Sequence, residues 1–546
     1  MKKRNFCLIL FLMVVCFILP IGVNADEVGS AEELKSCLTS DGKICKLSAN
    51  INDMSNIEVN GVTVTLDLNG YNIIFAESKR LNVKKGNFTI IGKGKISESV
   101  PHSGPVVIYG SINENDTNYT TVTYGKDVTL EGCYGSFISV NKDSYGVSHA
   151  YGVTVNINGT LIGKFDGNNE YGSGFYINGL IKDFKNAPVV NISSSAVLKG
   201  VGGGIYAAGY GVWNINGAKL VGEDYGAGIK TGKFNFNDAT VTASGKKNDG
   251  TYNNNGINGT GAAIQIESND SYAGNIEITI NDGIYKSDNG NVIYHYKTSN
   301  TTKPANNALI NFDIVGGLFT GGLEAYDDDN INISSGSFDV DVTKFVDDKS
   351  IVTKDNNTYI VSLNKQLTTD DEKIVFESKD ALDNNYKLEV DLKDEDEVNK
   401  NSDIVSKFFE DNTKIKNLKL LSFFDINVVD KNNRVVSMEN GDYTISLSLS
   451  DDMLIYDNYN VLYFTDDGNI ADIIDAKIVD GKLVFNTSHL STYGVVGYNN
   501  VELTNIENLN DTSNPNTYDG SMISMIITFV SLISLFGTIK VLENRK

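Results

Sequence analysis

Leu66-Asp67-Leu68-Asn69-Gly70-Tyr71-Asn72-Ile73 is the stretch whose reading decides the fold. Alternating apolar residues run into a small polar turn and leave it on further apolar residues. The same phrase returns at Phe88 (FTIIGKGKI), Val155 (VNINGTLIG), Val190 (VNISSSAVLKG), Trp213 (WNINGAKLVG), Phe234 (FNFNDATVTA), Ile278 (ITINDGIYKS), Phe312 (FDIVGGLFTG) and Ile331 (INISSGSFDV), with Val128 (VTLEGC) as a weaker member. The steps between starts lie near about twenty residues, near twice that, or at one unit lengthened by an insertion, which is the period of a solenoid. Within each unit the apolar positions alternate, as in strands.

A right-handed parallel β-helix accounts for this pattern. Each coil supplies two or three short strands whose inward side chains stack on the next coil, so many coils bury a face that one cannot. Gly and Asn at the corners supply left-handed backbone. The Leu-x-x-Leu-x-Leu frame and helical return of a leucine-rich repeat are missing, and an immunoglobulin-like array would have longer strands. The expected class is all-β: a β-helix, a small β-sandwich-like stalk module and a C-terminal transmembrane helix.

The chain has 546 residues and a formal charge of -23. Removing Met1–Ala25 takes away Lys2, Lys3 and Arg4, and removing Tyr518–Lys546 takes away a net single positive charge, leaving -27. Such a surface argues against nucleic-acid binding and against charge-driven adhesion to anionic lipid. It leaves divalent cations such as calcium open as ligands. Outside the leader the cysteines are Cys37, Cys45 and Cys133. Cys37 and Cys45 flank an Asp41-Gly42 turn, which leaves a disulfide or buried thiols as alternatives. Cys133 reads as a core residue.

In chain order, Met1–Ala25 reads as a secretory signal peptide: a basic start, an apolar run Phe6–Leu19 and small residues before a cleavage between Ala25 and Asp26. Ser30-Ala31-Glu32-Glu33-Leu34 is a capping box opening a helix to about Leu38, placed to cover the end of the first coil. Residues 26–363 are the β-helix with this capping helix. Residues 364–498 are a β-rich stalk with one short helix at Ser402–Glu410 and alternating strands such as Phe424–Val429 and Tyr443–Leu449. Residues 499–513 are a linker, and 514–546 a sorting signal with a membrane-spanning stretch, Met522–Ile539.

Polar insertions at Ser111–Thr123, Asp166–Gly174, Lys246–Gly261 and Thr298–Asn307 leave the coils as loops, where binding sites are commonly built. Tyr171, Phe175, Tyr252 and Tyr272 lie in or near them. Tyr176, Tyr206, Tyr210 and Tyr225 are the candidate ligand-binding residues: exposed aromatics beside Asn and Asp suit sugar rings, and the alternative is that they stack within the coils. Asp327-Asp328-Asp329 could hold calcium through oxygens, with a solvated turn as the alternative. No dedicated metal site and no cofactor is read from the sequence.

Val62–Phe75 (VTVTLDLNGYNIIF), after the SAEELKSCL helix, resembles the opening of the pectate-lyase-like β-helices of bacterial surface proteins, over roughly residues 27–362. FDINVV, YTISLSL, VLYFTDDG and FNTSHLSTYGVV resemble a small domain found ahead of the wall anchor in Gram-positive surface proteins, over about 365–498. That resemblance implies a spacer role and makes His489 structural.

Asn514-Pro515-Asn516-Thr517-Tyr518, the apolar stretch and the basic end (Lys540, Arg545, Lys546) resemble a sortase cell-wall sorting signal of the Asn-Pro-x-Thr type. An apolar stretch of this length can span a bilayer, and the basic tail stays cytoplasmic. The resemblance implies cleavage after Thr517, with sortase and peptidoglycan as partners, and display on the outside of the cell. Tyr518 departs from the usual Gly or Asn. A plain membrane anchor is the alternative.

The chemistry for catalysis is not assembled in the sequence, and no catalytic residue is assigned. Arg80 is the sole Arg of residues 26–363. The His contexts around His102, His149 and His295 lack the Gly-His-Gly and Arg-x-Lys of polygalacturonase-like enzymes, and Glu223-Asp224 is the nearest approach to an acid pair. The expectation is a wall-displayed adhesin or glycan-binding protein, with a surface polysaccharide lyase or glycoside hydrolase on the same fold as the alternative, and a passive spacer as a third.

Overall fold

A computed structural model describes residues 25–101, 103–164, 172–244, 259–268, 272, 274–297, 310–325, 329–410, 415–465 and 467–499. The chain divides into two compact units. One runs to Leu367 and takes in Glu377–Lys387 and Asp430–Arg434; the other comprises Thr368–Phe376, Leu388–Val429 and the chain from Val435 on. The sequence boundary at 363/364 falls close to the first of these divisions, but the later segments are interleaved.

The first unit is a long parallel sheet of many strands, a solenoid. Its strands stack in register in three columns. One column aligns Val155, Val190, Trp213, Phe234, Ile278, Phe312 and Ile331. A second aligns Leu130, Leu161, Leu198, Leu220, Val241, Tyr285, Phe319 and Phe338. A third aligns Ile138, Ile177, Ala207, Ile229, Ile266 and His295. These rows point inward and form one continuous core. Each large side chain so buried contributes about 1.5–3 kcal/mol. Rings continue the stacking: Trp213 on Phe234 at 5.7 Å, Tyr285 on Phe319 at 4.9 Å, Phe319 on Phe338 at 4.6 Å between centroids.

The repeated phrase marks the first column, with one correction. Val128 belongs to the second column, paired with Gly94. The missing rung is Val122, which pairs with Phe88 and Val155. Its strand, Thr120–Tyr124, is so rich in Thr that the apolar alternation is muted. At the short turns between the first and second columns the backbone is left-handed, at Asn69 (φ 45°), Gly217 (φ 68°) and Asp238 (φ 53°).

Both ends of the stack are closed. Helix α1 (Ala31–Leu38) carries the expected capping box: Ser30 Oγ accepts from Glu33 N–H at 3.3 Å and the Glu33 carboxylate accepts from Ser30 N–H at 3.1 Å. Its Leu34, Cys37 and Leu38 are buried against the first coil. Cys37 and Cys45 are joined in a disulfide, and Cys133 is a buried thiol. At the other end the last parallel strand, Gly336–Phe338, is met by an antiparallel hairpin, Ser350–Asp355 and Thr358–Leu363. TYIVSL is therefore a closing strand rather than a further coil.

Among the described residues nine strands, from Gln366–Thr368 to Thr492–Asn499 and most of them in the second unit, form a single hydrogen-bonded sheet, antiparallel through the pairings of its central strands. The sequence pattern predicts a sandwich-like pair. Register shifts in the long strand Lys416–Val429 supply irregularity of the kind that bends one sheet without dividing it. Helix α2 (Glu395–Phe408) starts earlier than the apolar pattern at 402–410 indicates. Asp394 caps it, accepting from Glu397 N–H at 3.0 Å, and Glu395, Asp396 and Glu397 occupy the first turn, where the helix dipole favours acids. His489 is held by Tyr493, its Nδ1 3.1 Å from the phenol oxygen, as a structural residue.

Among the described residues no helix is long and apolar enough to cross a membrane. The leader to residue 24, the linker beyond 499, the sorting residues Asn514–Tyr518 and the span Met522–Ile539 lie outside the described residues. Ala25 is described, and Asp26 opens the first strand, its carboxylate 2.8 Å from Lys43 Nζ.

Candidate functional site

The outward positions of the first-column strands, and the turns that follow them, carry amides in rows. Asn191 donates to Asn156 at 2.9 Å, Asn214 to Asn191 at 2.9 Å, and Asn235 to Asn214 at 3.0 Å. A second row lies one turn along: Asn237 donates to Asn216 at 2.7 Å and Asn281 to Asn237 at 2.5 Å. Parallel register places like residues over like residues, which is why Asn at one position of the repeat becomes a ladder. An open groove of about 620 Å³ lies over members of both rows, lined coil by coil by Asn156 and Asn158, Asn191 with Ile192, Ser193 and Ser194, Asn216 and Gly217, and Asn237 and Asp238. Asp238 is the single charged group of that lining. Amides and hydroxyls with one acid offer hydrogen bonds in both directions and little charge.

The tyrosines singled out in the sequence meet elsewhere, on the outer face of the third column. Tyr176 stacks on Tyr134 at 4.7 Å and on Tyr206 at 5.4 Å, and Tyr206 lies 6.2 Å from Tyr225. Tyr272 packs against the same cluster. Tyr210 stands apart, edge-on to Phe184 at 4.7 Å. The expectation of exposed rings is corrected here: Tyr206, Tyr210 and Tyr225 are buried and Tyr176 is half-buried. The small residues of the repeat, Gly203 and Gly228, leave room that the Tyr225 ring fills.

Under these rings lies a pair the sequence does not announce. Lys230 Nζ is 3.0 Å from Glu267 Oε2, with both side chains 1% exposed. Lys230 also donates to the Tyr272 hydroxyl at 3.1 Å and sits 4.4 Å from that ring's centre. Burial pushes the Lys230 ammonium below its ordinary range, with Glu267 opposing. Burial raises Tyr206 well above the ordinary phenol value and Tyr272 to about 12. At the rim Asp224 is pushed up to about 6, by burial first and by neighbouring Glu223 second. The Glu223-Asp224 bend thus holds one carboxyl raised above its ordinary range, not a matched acid pair.

The loops that lead from the third column back to the first pack on one another. His149 is held between two carboxylates, Nε2 3.3 Å from Asp143 and Nδ1 3.4 Å from Asp183, with Tyr151 stacked at 5.3 Å. Tyr151 is raised to about 12 by burial and by its bond to Asp183. His295 takes an inward position of the third column and meets Asp329 at 2.6 Å, both buried. Asp329, expected within a solvated or calcium-holding cluster, instead satisfies a core histidine; Asp327 and Asp328 lie outside the described residues, as do Tyr171 and Tyr252. Among the described residues no group of three or more His, Cys, Asp or Glu side chains could hold a metal ion.

No protein-family model, no curated protein and no solved structure matches the chain.

Proposed function

We propose that this is a glycan-binding protein displayed on a Gram-positive cell wall, with a right-handed, pectate-lyase-like β-helix as its binding rod. The open groove of amides and hydroxyls is the observation that carries this reading. It offers paired donors and acceptors on a rigid surface, the requirement for holding sugar hydroxyls. The leader, the Asn514–Tyr518 pentapeptide, the apolar span and the basic tail support secretion and sortase-mediated attachment. The nine-stranded second unit fits a spacer. Incubating the purified protein with pectic, glycosaminoglycan and neutral polysaccharides, followed by size-exclusion chromatography, tests the binding reading: co-elution of an intact polymer is expected, and absence of any co-elution sinks it. Attachment predicts that the protein resists detergent extraction and leaves the wall only after peptidoglycan digestion.

One observation favours a second reading, polysaccharide cleavage at the third-column face. A carboxyl raised to about 6, as at Asp224, is in the working range of a general acid. Shortening of one polymer in the same panel, lost in Asp224→Asn, is the result this reading requires.

A further inference from the structure

We infer that the amide groove takes an extended, uncharged polysaccharide laid parallel to the stacking direction of the coils, with one sugar unit addressed by each coil. The inference rests on the glycan-binding reading and specifies the site and the ligand class.

Four successive coils line the groove, and their strands are neighbours in one parallel column. Neighbouring strands are about 4.8 Å apart, so the hydrogen-bonding groups repeat at about that interval along the groove. An extended pyranose chain repeats its hydroxyls at a comparable interval. The ladder bonds do not exhaust the amides. Each Asn side chain carries two N–H groups and a carbonyl with two lone pairs, and a ladder interior position such as Asn191 spends one of each on its neighbours. Asn156 and Asn191 are half-exposed where they line the groove, and the position two residues on, Asn158, Ser193, Asn216 and Asn237, carries the lining through all four coils with each side chain half-exposed or exposed. The neighbours also fix each amide's orientation, because reversing one would set donor against donor. The groups are therefore pre-oriented, which reduces what binding must order. The ligand's lack of charge follows from the lining: it has no Lys or Arg to neutralise an anion, and Asp238 repels one.

The test measures binding of cello-, xylo- and malto-oligosaccharides of two to six units, with hexagalacturonate as the anionic comparison, to the purified protein by calorimetry. Affinity for one uncharged series is expected to rise to about four units, one for each lining coil, and then level. Asn191→Ala removes a rung and is expected to weaken binding about tenfold. Because it also cuts the ladder, a second variant, Ser194→Tyr, fills the mouth from an exposed turn without breaking a ladder bond and is expected to abolish binding. If an uncharged series binds and neither variant weakens it, the groove is not the site and the inference falls while the glycan-binding reading stands. Tighter binding of hexagalacturonate has the same consequence. If none of these probes binds and no polysaccharide co-elutes in the panel, both fall.

Discussion

Lys230 and Glu267 lie 37 residues apart in sequence and 3.0 Å apart in space, Lys230 just past the end of one third-column strand and Glu267 on the strand paired with it, with almost no solvent reaching either side chain. A pair so buried loses hydration on both charges and recovers it only through mutual attraction and the hydrogen bonds around it. The rings of Tyr206 and Tyr272 lie against the ammonium and form part of that recovery.

Removing one partner is therefore expected to cost far more than removing both. Lys230→Met should destabilise the first unit by about 3–5 kcal/mol, since it strands a buried carboxylate. Lys230→Met combined with Glu267→Leu should lie close to the wild type. Chemical denaturation of the two variants checks this; equal losses for single and double variants would show that the stranded carboxylate is not the source of the cost.

Trp213 is the sole tryptophan of the chain and has no solvent exposure. It lies between Phe175 at 5.9 Å and Phe234 at 5.7 Å, and its buried Nε1–H has no acceptor among the described residues. Its emission should be blue-shifted in the native protein and move red when the first unit unfolds. Trp213→Ala should cost about 3–5 kcal/mol by opening a cavity, and Trp213→Phe less, because no hydrogen bond is lost with the indole.

The Asp224 carboxyl sits at about 6 in the folded chain against an ordinary value of 3.8, so the folded state binds this proton more tightly than the unfolded chain does. The associated stabilisation is present below pH 3.8 and is lost as the pH rises through about 6. Stability should therefore carry a falling component over that window, and Asp224→Asn should remove it. Denaturation midpoints at pH 4, 5, 6 and 7, with approximately unit spacing across the titration, decide the matter.

The Cys37–Cys45 bond closes a short loop, a sequence separation of 8, beside helix α1. Chain-entropy bookkeeping gives it about 2.5 kcal/mol. Reduction under otherwise native conditions should lower the denaturation midpoint of the first unit accordingly, and an unchanged midpoint would place that end outside the cooperative unit.

Much of the solenoid is legible in the sequence because its physics is local and repeated: an apolar residue at Phe88, Val155 or Phe234 must face the core if its neighbours two positions on do as well. The capping box at Ser30 is legible for the same reason. Thr120–Tyr124 is not, because Thr suits a strand without marking a buried face. Asp394 shows the reverse difficulty, part of an acidic, polar stretch without apolar periodicity that supplies a helix cap and first turn. The candidate groove was half visible. Its Asn residues stand in the quoted repeats, but they read as corner formers, and only the registers reveal that they fall in line. Lys230–Glu267 had no sequence signal, since the insertion between them hides how few coils separate the two. The tyrosines were found and their exposure was not, because whether Tyr225 is covered depends on the absence of side chains at Gly203 and Gly228.

The hairpin at Ser350–Leu363 gives the stack of the first unit a definite end. A parallel stack has no internal reason to stop: the free edge of its last coil matches the first coil of another copy as well as it matches a further coil of its own. Thr358–Leu363 takes that free edge of Gly336–Phe338, with Ser350–Asp355 paired outside it, so the chain itself fills the place of a further coil, while α1 covers the opposite end. A stack built on a principle of indefinite growth is thereby made a finite gauge, whose extent is written in the number of repeats between its two stops.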